Sequence, residues 1–399
     1  MPPKNIEISA TCRGIGKNLY VFVRDEDWEK PVTQEDVDKI IQVFDHSTPR
    51  DPKRGIYQIA TEAFGEPPDK DKDPKVYILI SELGQYHGHH FDGFFRYVDQ
   101  TEEEYSNRLD SLYLDAHNPS SEYHLGVLAH EFQHLIHWRY DPEEENWVNE
   151  TLSEVCMILC GYYTDKRHVA RYLKNTDRPL VTTAHGGTDY GACLLWGTYL
   201  YERLGLGFLG AWVKDTATGI QGFHSSLKAL GQGGRFNDYF GDWMAALFLN
   251  DPRVYDGLYR FRSVTLPSPP SYQSFSSYPL KKEDSVKGYG IDYLKFNLRM
   301  LHTDRLRVTL RADSPEFFVK VMKINKEDPS LTEIQGIHSA KIDLEIDNRR
   351  KLYQEVVLGI TVLDVTDAPI KYHFTASEVA DNEVVKTAIV AGSRLGPGK

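Results

Sequence analysis

Two histidines four residues apart, with a glutamate after the first, stand in Leu128-Ala-His130-Glu131-Phe-Gln-His134-Leu-Ile-His137-Trp138. On a helix, positions i and i+4 share a face, so the imidazoles of His130 and His134 can reach one ion. Glu131 points near the same place and can take a proton from water that the ion activates. A hydrolytic zinc wants three protein ligands and one open position. His137 is a poor third ligand, because it lies about 4.5 Å further along the helix axis and overshoots an ion held by the pair. A metzincin would need Gly at 137 and His at 140, where this chain has His137 and Tyr140. That leaves Glu150, sixteen residues beyond His134 in Asn149-Glu150-Thr-Leu-Ser-Glu154. Asp141-Pro142 ends the first helix, since a residue before proline avoids helical backbone. The acidic turn Glu143-Glu144-Glu145 then lets a second helix return antiparallel. Glu150 and Glu154 fall at i,i+4 on it, so one can bind the ion while the other accepts the free ring N–H of a histidine ligand.

With these residues in view, His-Glu-Phe-Gln-His followed by Trp-Val-Asn-Glu-Thr-Leu-Ser-Glu resembles the gluzincin metallopeptidases, the thermolysin-like group, and most of all their hyicolysin-type bacterial members. The similarity extends to Val76–Ser81, Asp92-Gly-Phe-Phe-Arg-Tyr, Leu112-Tyr-Leu-Asp, the Asp189-Tyr-Gly-Ala helix and Gly290-Ile-Asp-Tyr. The resemblance implies His130, His134 and Glu150 as zinc ligands, Glu131 as general base, and Glu154 and Asn149 in the shell around the ligands. It also implies a zinc-dependent endopeptidase acting on peptide or protein substrates outside the cytoplasm. Asp189-Tyr190-Gly191 resembles the tyrosine-bearing helix of gluzincin aminopeptidases, which makes Tyr190 the first candidate for stabilising an oxyanion, with His185 and His224 behind it. A zinc aminopeptidase is the rival, but no Gly-x-Met-Glu-Asn-type segment precedes the metal helix. A catalytically silent recognition or adhesion protein would have no need of Glu131.

The elements that must position these residues change character along the chain. Residues 1–120 read as an α/β lobe, with strands at Asn18–Arg24, Val76–Ile80 and Ser111–Asp115 and a helix over 34–44. Residues 121–264 read as a helical lobe carrying the zinc site, with helices near 122–140, 148–163, 189–204, 206–215 and 236–249. Residues 265–284, rich in Pro, Ser and Tyr, read as a linker. Six period-two stretches in 285–380 predict an antiparallel β-sandwich that would bind protein or carbohydrate, and 381–399 reads as a tail. The expected class is α+β, a thermolysin-like zincin domain followed by that sandwich.

Gly93–Tyr97 reads equally as an ordinary edge strand and as one that pairs with an extended substrate. His87, His89 and His90 read as loop histidines. Asp69-x-Asp71-x-Asp73 would suit calcium, but Pro74 and Ile80 stand where an EF-hand needs Gly and Glu, so a solvated charged turn is expected. Among the four cysteines, Cys156 and Cys160 at i,i+4 are spaced too widely to bridge, and free thiols are expected. A net charge of −12 over 399 residues, with no basic block, argues against nucleic acid as a partner. No uninterrupted apolar run is long enough to span a bilayer. The N-terminus lacks the apolar core of a secretory signal, so a cytoplasmic protein stays open beside an exported one.

Overall fold

Leu19, Val21 and Val23 are buried while Tyr20, Phe22 and Arg24 are half-buried, the alternation of a strand with one face on a core. In a computed structural model that describes residues 5–86, 89–163, 166–182, 188–366 and 368–380, this strand belongs to the first of two units, Met1–Lys166 with Gly197–Gln232. Its elements begin with β1 (Ala10–Ile15), β2 (Leu19–Arg24), α1 (Gln34–Asp45), α2 (Ile56–Phe64) and β3 (Val76–Ser81). They continue with the short pair β4 (Gln85–Tyr86) and β5 (His89–His90), then β6 (Gly93–Phe95), β7 (Ser111–Asp115), α3 (Glu122–Tyr140) and α4 (Asn146–Cys160). Five strands form one sheet in the order β1-β2-β3-β7-β6. The two outer pairings are antiparallel, and β3 runs parallel to both β2 and β7. β3 and β7 are interior strands, which is why Val76–Ile80 of β3 reads as a continuous apolar run. β6 lies at the sheet edge.

Ser121 caps α3 by accepting the His124 N–H, and the helix ends at Tyr140, just before Asp141-Pro142. Its residues Leu125 to Gln133 are all buried, so it is a core helix rather than a surface stripe. α4 stops at Cys160, three residues earlier than the spacing suggests, because Gly161 adopts the left-handed conformation that closes a helix. α6 (Tyr190–Val213) breaks at Gly205, whose backbone is non-helical (φ 76°), so the two expected helices abut there. α5 (Arg167–Lys174) and α7 (Gly219–Ala229) were not legible as helices, and α8 (Phe236–Leu249) was.

The second unit, Arg167–Trp196 with Gly233–Lys399, holds α5, the first turns of α6, α8 and nine strands. These are β8 (Gln273–Phe275), β9 (Leu280–Val286), β10 (Asp292–Asn297), β11 (Arg305–Ala312), β12 (Phe317–Ile324), β13 (Glu333–His338), β14 (Lys341–Asp347), β15 (Glu355–Val362) and β16 (Ile370–Glu378). They form two sheets, β13-β12-β15-β10-β8 and β14-β11-β16-β9, around one core that includes Phe296, Val308, Val319, Leu358, Tyr372 and Phe374. The pairings are antiparallel except for β8 with β10. Lys320 of β12 pairs with Asp242 of α8 at 2.6 Å, and the Tyr293 hydroxyl donates to the Met244 carbonyl at 2.8 Å, so α8 packs on this β-rich region.

Two strands occupy the stretch 265–284 that reads as a linker. β8 is anchored by a single apolar side chain, Phe275, whose ring lies 5.4 Å from that of Phe296. β9 exposes Lys281, Lys282 and Glu283 and is held by its ladder to β16, so composition conceals it. Nor do the cuts at 120 and 264 coincide with the units, because the chain enters the second unit at Arg167, leaves it after Trp196 and returns at Gly233. Among the described residues no helix is long and apolar enough to cross a membrane. Cys12, Cys156 and Cys160 are free thiols. The tail 381–399 lies outside the described residues.

Candidate metal centre

α3 and α4 bring His130, His134 and Glu150 together, with one ligand atom of each within 4.8 Å of the others. The two Nε2 atoms are 3.0 Å apart, and Glu150 Oε2 stands 3.2 Å from that of His130 and 3.8 Å from that of His134. Ligands about 2.0–2.2 Å from a tetrahedral ion lie roughly 3.3 Å from one another, so this donor set fits zinc. Burial holds His130 below the ordinary imidazole range and His134 down at about 4, which leaves neutral rings with lone pairs to donate.

The atoms facing away from this point are also engaged. His130 Nδ1 lies 3.5 Å from Glu154 Oε1. His134 Nδ1 lies 3.1 Å from the Ser153 hydroxyl, which donates in turn to Oε1 of Gln133. Asn149 does not join them; its amide donates to the Glu144 carbonyl at 3.1 Å and so closes the turn into α4. Glu131 is buried beside His130, and the Phe95 backbone N–H of edge strand β6 donates to its Oε2 at 2.8 Å. Burial is the larger influence and pushes the Glu131 carboxyl up to about 7.

The remaining candidates lie elsewhere. His137 is 1% exposed on α3 and neither ring nitrogen has a hydrogen-bond partner; burial pushes it down to about 3, the mark of a neutral core histidine. Tyr190 falls in the second unit, 38% exposed, with its ring 5.7 Å from that of His168. His224 is exposed on α7. His87, His185 and the side chain of His89 lie outside the described residues, and His90 is exposed. Asp73 accepts the Tyr20 hydroxyl at 2.9 Å. Three contributors escaped the sequence reading. Ser153 was within reach, because it sits three residues after Glu150 on the same helix face. Gln133 and the Phe95 amide carry no such signal, since one acts through Ser153 and the other through its backbone.

No family model matches the chain. The neutral metalloprotease ShpI of Staphylococcus hyicus is 28% identical over 148 residues, a distant relationship to a metallopeptidase. The match takes in 33% of this chain and only 30% of that protein. Among solved structures, the pre-peptidase C-terminal domain of a Bacillus anthracis collagenase aligns 98% of its length with 28% of this chain, at 10% identity and a TM-score of 0.21. A GH115 4-O-methyl-alpha-glucuronidase aligns with 76% of this chain and 51% of its own at 9% identity and a TM-score of 0.17.

Proposed function

We propose that the chain is a zinc-dependent endopeptidase of thermolysin-like design, with His130, His134 and Glu150 as ligands and Glu131 as general base. The observation that carries this reading is the meeting of two imidazole nitrogens and a carboxylate oxygen within 4.8 Å, with a second buried carboxylate beside them. The distant likeness to a metalloprotease supports it. Zinc bound there would lower the pKa of a water at its open position and polarise a scissile carbonyl.

The chain's own residues do the rest. Glu131, held by the Phe95 N–H, takes a proton from water and passes it to the leaving amine. Glu154 accepts the Nδ1 proton of His130, and Ser153 accepts that of His134, so each ring turns Nε2 toward the ligand cluster. By the same resemblance, the substrate is a peptide or protein and the working compartment lies outside the cytoplasm.

The test is metal analysis of the purified protein together with digestion of casein. Glu131→Gln should keep stoichiometric zinc and lose hydrolysis. Full activity in that variant refutes the base assignment, and a wild-type chain that neither holds zinc nor cleaves casein refutes the reading as a whole.

A further inference from the structure

We propose that Asp69, Asp71 and Asp110 bind a calcium ion that ties the entry to β3 to the entry to β7. These strands are parallel neighbours, with Tyr77 opposite Ser111, so the residues preceding each arrive at one end of the sheet. One carboxylate oxygen from each of the three aspartates lies within 4.8 Å of the other two. Asp110 is 2% exposed and fixed on two sides: its carbonyl accepts the Tyr77 N–H and its Oδ2 accepts the Lys70 N–H, both at 2.9 Å. Its Oδ1 is buried with no partner in hydrogen-bonding geometry, and the polar side chain beside the carboxylate is Gln100, which donates to the Leu109 carbonyl at 3.1 Å. A buried carboxylate oxygen left without a partner is costly and calls for a ligand.

A water molecule would satisfy that oxygen but would leave three like charges together. Among the described residues no lysine or arginine pairs with any of the three, and the Lys70 ammonium is committed to Glu102 at 2.7 Å. Asp71 is held in place by the Tyr77 hydroxyl, which donates to its Oδ2 at 2.8 Å. Asp69 is exposed, so its side of the cluster opens to solvent and leaves room for waters. A site of carboxylates completed by water, without octahedral constraint, suits calcium better than magnesium. The sequence pattern pointed to Asp73 as third member, but that carboxylate serves Tyr20, and Asp110 arrives from a distant loop in its place.

To test this, the 399-residue chain is stripped on chelating resin, reloaded with zinc and titrated with calcium chloride by calorimetry. We expect one calcium per chain and a higher Tm in the saturated protein. Asp69→Asn, at an exposed position that spares the fold, and Asp71→Asn should each weaken binding at least about tenfold. The proposal is overturned if no binding occurs up to about 10 mM calcium, or if neither variant weakens it.

Discussion

The Ser153 hydroxyl of α4 stands 3.1 Å from Nδ1 of His134 on α3, while Nε2 of the same ring faces Nε2 of His130. A ring that offers Nε2 as a lone pair must carry its proton on Nδ1, and Ser153 is placed to accept it and to donate its own to Gln133. Ser153→Ala removes that acceptor within the buried helix pair. Zinc affinity should fall about 10–100-fold while the protein stays folded, as measured by competition with a chromogenic chelator. Unchanged affinity would remove Ser153 from the site.

Glu150 and His137 are the two rivals for third ligand, and their variants should fail in opposite ways. Glu150→Ala should lose zinc, because the pair of imidazoles loses the carboxylate that completes the cluster. His137→Ala should keep zinc and lose about 1–3 kcal/mol of stability, because a fully buried ring is replaced by a cavity. Metal content and thermal melts of both variants check this. Zinc loss confined to His137→Ala would reverse the assignment.

Gly197 of α6 lets that helix approach α4 at the turns that carry Glu150 and Glu154. A β-carbon there would clash with the Val155 side chain and come within 2.8 Å of the Thr151 carbonyl. Gly197→Ala should therefore destabilise by about 1–3 kcal/mol and loosen zinc. Gly207 is the control on the same helix, since a β-carbon there meets nothing within 4 Å. Gly207→Ala should be neutral or stabilise by up to about 1 kcal/mol in a thermal melt. Equal losses in both variants would mean that the helix, and not the contact, governs the effect.

What was legible in the sequence follows a physical line. His130 with His134, and Glu150 with Glu154, lie at i,i+4 on two consecutive helices, where spacing alone assigns each pair a shared face, and these four side chains do meet. β3 was legible because an interior strand carries an unbroken apolar run, Val76 to Ile80. β13, with exposed residues interleaved through it, carried no such run. The Phe95–Glu131 bond was invisible because a backbone amide has no residue type. Asp110 was invisible because it joins Asp69 and Asp71 only through the pairing of β3 with β7.

Asp292 opens β10 in the second unit, and its Oδ2 accepts the Tyr372 hydroxyl at 2.9 Å. Burial, with Asp177 and Asp284 adding repulsion, pushes its carboxyl up to about 7 from an ordinary value near 3.8, although the hydrogen bond pulls the other way. The folded chain thus keeps a proton that the unfolded chain releases above pH 4. Folding takes up that proton between pH 4 and 7, so this residue's contribution to stability declines as pH rises through that window. Above it the fold carries a buried anion. Asn at 292 can still accept from Tyr372 but never charges. Asp292→Asn should match the wild type near pH 4 and exceed it by on the order of 2–3 kcal/mol at pH 8. The check is the difference in Tm between variant and wild type across that range. A difference that does not grow with pH would show that Asp292 ionises in the folded protein as freely as it does unfolded.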